Sequence, residues 1–138
     1  MEELNRLKIL HQEEVAARNR WTQLRDKRTA MIVNARAQGV SAKEIAEFTG
    51  LTTARIYNLV RGKDVQTQEA ISPDTGKELA RLTRDMEQET AAAAALARQR
   101  NEVAQRLIQE GASTPFLAKT LGVKVDTFRN WVYGKTDE

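Results

Sequence analysis

Four side chains carry the richest recognition chemistry of this chain: Arg55, Asn58, Arg129 and Asn130. A guanidinium donates two parallel hydrogen bonds, and a carboxamide both donates and accepts, so these residue types suit the reading of flat polar edges. Around them stand further donors: Ser41, Lys43, Thr52, Arg61 and Lys63 near the first pair, and Ser113, Thr114, Lys124 and Lys135 near the second. Reactive chemistry is scarce by comparison. The chain has no cysteine and a single histidine, His11, which removes thiolate and histidine-rich metal sites. It has no Gly-rich phosphate loop and no spaced ligand cluster, and Glu13 and Glu14 read as ordinary helix-surface charges. The expectation is a binding protein without cofactor or metal, and not an enzyme.

The recognition residues recur because the chain repeats itself. A shift of 72 positions lays Leu7 on Leu79, Leu10 on Leu82, Leu24 on Leu96, Arg28 on Arg100, Gly39 on Gly111 and Ser41 on Ser113. The same shift, without a gap, lays Ala46 on Ala118, Gly50 on Gly122, Asn58 on Asn130, Val60 on Val132, Gly62 on Gly134 and Lys63 on Lys135. These identities fall where structure is demanding, which indicates an internal duplication.

The elements that position these side chains are helical. Residues from about Glu3 to Gln38 contain neither Pro nor Gly and end at Gly39, a residue able to take the left-handed conformation that closes helices. The second repeat starts a matching helix at Ser72-Pro73-Asp74, with Ser as cap and Pro in the first turn, and closes it at Gly111. Its residues Leu79, Leu82, Met86, Glu89, Ala93, Leu96, Arg100, Val103 and Leu107 alternate in steps of three and four, a spacing suited to helix pairing. The first helix keeps that register less cleanly, with Glu14, Trp21 and Arg28 in the stripe. Such stripes can pack within the chain or form a homodimer through the long helices. Arg28 and Arg100 can pair with acids on a preceding helix or reach a polyanion, and the structural role is the expectation. Modules are expected at 1–63 and 73–138, joined by a polar linker at 64–72.

After Gly39, Ser41 and Glu44 have the spacing of a capping box that starts a short helix. Ile45 and Ala46 face inward, Gly50-Leu51 breaks the helix, and Ile56, Leu59 and Val60 mark the buried face of a second helix starting near Thr53. Small Ala46 lets the two helices cross closely, and Gly50 permits the tight turn. The second repeat meets the same demands with Leu117, Ala118, Gly122, Val123, Phe128 and Trp131.

With these residues in place, the chain resembles the helix-turn-helix superfamily, in particular small bacterial and phage transcriptional regulators. The resemblance covers residues 21–63 and 93–135. It implies an all-α fold of two tandem helix-turn-helix modules, each preceded by a long helix. It also implies that the second helix of each motif enters the major groove of double-stranded DNA. The residues then facing base edges are Thr53, Arg55, Tyr57 and Asn58 in the first repeat and Arg129 and Asn130 in the second. Arg suits guanine O6 and N7, and Asn suits adenine. Ser41, Lys43, Thr52, Arg61, Lys63, Ser113, Thr114, Lys124 and Lys135 have the donors expected at phosphates. The second repeat departs from the pattern: Lys124 stands where a capping Ser or Thr is usual, and Asp126 would be repelled by phosphate unless it caps its own helix or accepts from cytosine.

Charge agrees with a polyanionic partner, most of all for the first repeat. The net charge is +3, and residues 1–66 hold 12 Lys and Arg against 8 Asp and Glu, whereas 73–138 hold 10 of each. No apolar stretch approaches the ~20 residues of a membrane span, and the start lacks a secretory signal, so the expected location is the cytoplasm, with the nucleoid. The expected function is sequence-specific DNA binding by a transcriptional regulator or a plasmid or phage DNA-organising factor. The alternatives are an assembly protein like the small DNA-recognising subunit of a phage packaging motor, or a protein-binding antagonist with vestigial motifs.

Overall fold

A computed structural model describes residues 2–61 and 73–134, so Lys63, Lys135 and the 64–72 linker lie outside the described residues. The fold is all-α: α1 Glu2–Ala37, α2 Ala42–Thr49, α3 Thr53–Leu59, α4 Pro73–Gln109, α5 Thr114–Leu121 and α6 Val125–Tyr133. None of these helices is long and apolar enough to cross a membrane.

Both long helices stop by the same device. The Val40 N–H donates to the Ala35 carbonyl at 3.0 Å and the Gly39 N–H to that of Arg36 at 2.9 Å; Ala112 to Leu107 at 2.9 Å and Gly111 to Ile108 at 3.0 Å repeat the pattern. This six-to-one and five-to-two pairing needs a positive φ at its glycine, which Gly39 and Gly111 supply at 95° and 109°. The next helix then begins at a serine cap. The Glu44 N–H donates to Ser41 Oγ at 3.1 Å, and the Phe116 N–H to Ser113 Oγ at 3.2 Å.

The chain forms two compact units, and they cut across the sequence repeats. One comprises residues 19–90; the other joins 1–18 to 91–138. In the continuous unit, Ile32, Ala35, Val40, Ala42, Ile45, Ile56 and Val60 of the first repeat close around Leu79 of the second. In the other, Val103, Ala104, Leu107, Leu117, Ala118, Phe128 and Val132 close around Leu7 and Leu10 of the first. Each motif therefore rests on the last turns of its own long helix and on the opening turns of the other repeat's helix. The reason is area. Two helices of eight residues or so cannot enclose an apolar floor alone, and each fully buried leucine supplied from the other repeat contributes about 1.5–3 kcal/mol. Much of the stripe that could have formed an intermolecular seam, including Leu7, Leu10, Leu79, Leu82 and Met86, is buried within the chain.

Complementary volumes show how these contacts are fitted. In the continuous unit, a Cβ added at Gly76 of α4 would come within 2.7 Å of the Phe48 ring of α2. A glycine inside a helix normally costs stability, and here it makes room for an aromatic side chain. The 72-residue shift carries Phe48 to Thr120 and Gly76 to Leu4, so the large side chain has moved to the long helix, where Leu4 packs against the other core.

The core of the discontinuous unit also contains a charged pair. Arg100 and Glu14, each 2% exposed, form an ion pair, and Glu14 Oε2 meets Arg18 at 2.5 Å. Glu14 is therefore not the surface charge expected from sequence; it occupies the inner stripe because a buried arginine faces it. Trp131 of α6 lies over the Arg100 guanidinium, 3.5 Å from ring centroid to Cζ, and His11 packs on the same indole at 5.6 Å between centroids. Burial lowers the His11 pKa below the ordinary imidazole range, Arg100 and Arg18 lower it further, and only Glu14 opposes them. Because the unfolded chain then takes up a proton at higher pH than the folded one, stability should fall as pH drops below about 6.5 and level off under the folded-state value. His11→Gln should flatten that part of a plot of unfolding free energy against pH. An unchanged slope would assign the dependence to other groups.

Candidate functional site

The turn between α2 and α3 is closed by a glycine over buried aliphatic side chains. Ile45 and Ile56 are fully buried, Val60 nearly so, and Gly50 at φ 74° directs its N–H to the Ala46 carbonyl at 2.8 Å. In the second repeat Leu117, Ala118 and Phe128 are fully buried and Gly122 sits at φ 75°. The buried residues fix which face of each second helix turns outward.

On α3 that outward face carries Thr53, Arg55, Tyr57 and Asn58, all exposed, with Arg61 just beyond its end. Thr52 caps the helix by accepting the Arg55 N–H at 3.1 Å, which uses an oxygen lone pair and leaves the hydroxyl hydrogen available to a phosphate. Asn58 Oδ1 accepts from Arg61 Nη2 at 3.1 Å, so its amide nitrogen stays available while the oxygen must exchange partners to read a base. Tyr57 is 55% exposed and its ring faces the Arg36 guanidinium, 5.5 Å from Cζ to centroid. Ser41 is half-buried at the start of α2, and Lys43 is exposed in its first turn. All of these belong to the continuous unit.

The discontinuous unit holds Ser113, Thr114, Lys124, Arg129 and Asn130. Ser113, Lys124, Arg129 and Asn130 are exposed and Thr114 is half-buried. Lys124 occupies the α6 cap position without a side-chain hydrogen bond to the helix. Asp126 lies in the first turn, where its charge suits the positive end of the helix dipole, so it acts on this helix without being its cap.

No protein-family model, curated protein or solved structure matches the chain.

Sequence reasoning passed over Arg36 and Phe116 near these faces. Arg36 is nearly buried and donates from Nη1 to the Val40 carbonyl at 2.8 Å, closing α1 beneath Tyr57; a basic residue in a helix's last turn was the available signal. Arg28, one of the two repeated arginines, is half-buried and donates from Nη1 to the Thr83 hydroxyl at 3.1 Å in place of an acid. Phe116 stands 49% exposed in the first turn of α5, and an isolated aromatic there has no periodic signature in sequence.

Proposed function

We propose that the chain binds double-stranded DNA as a tandem helix-turn-helix protein, α3 and α6 each entering a major groove. The observation that carries this reading is the shared division of the two helices. Ile56 and Val60, like Phe128 and Val132, are buried, while Asn58 and Asn130 occupy the same repeat position exposed, with Arg55 or Arg129 exposed on the same helix. Among the described residues no packing contact of either unit requires Arg or Asn there, and both types pair with base edges in the major groove. The excess of basic residues in the first repeat supplies attraction to phosphates. A role as transcriptional regulator or DNA-organising factor is one that sequence-specific binding serves directly.

The test is selection of the whole chain against a random duplex library. Separated repeats are unsuitable, because cutting at the linker divides both cores. The unaltered chain should enrich a motif of two half-sites. Arg55→Ala should weaken binding to the enriched site by about 1–3 kcal/mol and leave random duplex nearly unaffected. Equal losses on both would remove Arg55 from base reading, and absence of any enrichment would favour the protein-binding alternative.

A further inference from the structure

The two repeated arginines, Arg28 and Arg100, have opposite surroundings. Arg100 is neutralised by Glu14, covered by Trp131, and bonded through Nε and Nη2 to Asn101 Oδ1 at 3.1 Å each. The 72-residue shift puts Met86 where Glu14 stands, Leu59 where Trp131 stands and Thr29 where Asn101 stands. Arg28 thus receives no carboxylate from that position, and its guanidinium bonds the Thr83 hydroxyl. Its Nε is buried and has no hydrogen-bond partner. Burial lowers the Arg28 pKa, and the neighbouring Arg55 charge lowers it further, so two cations repel each other beside α3. An unpaired donor and a local excess of positive charge together form an incomplete site whose missing component is an anion.

We propose that Arg28 holds a backbone phosphate of the DNA bound by α3, a contact that the second repeat has lost to the Glu14–Arg100 pair. The inference rests on the DNA-binding reading above. It places a phosphate contact on the long helix behind the motif, and it makes the two repeats unequal partners of the duplex. A phosphodiester places a negative charge beside Arg28 and supplies oxygen acceptors to guanidinium donors that the protein leaves unpaired.

The experiment measures affinity for a random-sequence duplex as a function of salt, using the full chain and three variants. Arg28→Gln removes the charge, Met86→Glu installs the acid that the other unit uses, and Arg28→Lys keeps the charge without the fork. Arg28→Gln and Met86→Glu should each weaken binding roughly tenfold at low salt and reduce the slope of log affinity on log salt by about one, whereas Arg28→Lys should retain the slope. Met86→Glu gives the arginine a partner and keeps the test valid if Arg28→Gln is poorly folded. If the unaltered chain binds duplex and neither Arg28→Gln nor Met86→Glu changes its slope, this inference fails and the DNA reading stands. If the unaltered chain binds no duplex, both fail.

Discussion

Leu7→Ala is expected to destabilise the second motif, although Leu7 belongs to the first repeat. Its side chain is fully buried in the core that holds Leu117, Phe128 and Val132. Truncation there removes a transfer contribution and leaves a cavity, at a cost of about 2–5 kcal/mol. Leu79→Ala should act reciprocally on Ile45, Ile56 and Val60. Amide hydrogen exchange separates the outcomes: Leu7→Ala should lower protection in α5 and α6 with less effect on α2 and α3, and Leu79→Ala the reverse. If each substitution instead loosens the motif of its own repeat, the compact units are drawn wrongly.

Glu14→Ala should be at least as damaging. It leaves the Arg100 guanidinium, 2% exposed, without its carboxylate. Burial already disfavours the charged form of Arg100, and Glu14 is the principal group opposing that effect. Removing one partner of a buried pair typically costs about 3–5 kcal/mol, because the remaining charge stays desolvated. Glu14→Met with Arg100→Leu should recover most of the loss, since an apolar pair of similar volume needs no compensation. Denaturant unfolding of the single and double variants measures this directly. A double variant no more stable than Glu14→Ala alone would mean that Arg100 contributes through Trp131 and Asn101 more than through its charge.

The local devices were legible in the sequence because each depends on a few neighbouring residues. Gly39 and Gly111 announce the helix ends, Ser41 and Ser113 the following caps, and Gly50 and Gly122 the turns, since a positive φ or a free hydroxyl is needed at those places whatever surrounds them. The inward positions Ile45, Ile56, Leu117 and Phe128 follow from helical period alone. The outward faces of α3 and α6, with Arg55, Asn58, Arg129 and Asn130, follow by subtraction.

Partners distant in the chain could not be read in the same way. Glu14 has the composition and flanks of a surface acid, and only the return of α4 brings Arg100 to it. Gly76 looks like a weak point in a helix until the Phe48 ring is placed against it. Sequence alone determined the six helices, their ends, the duplication and the faces left to solvent, because these arise from bonds and periods spanning a few residues. Tertiary structure decided that each motif is roofed by the opposite repeat's long helix, and that Arg100 is neutralised while Arg28 is not. The physical reason is that a hydrophobic stripe specifies that it must be covered and leaves open which segment covers it.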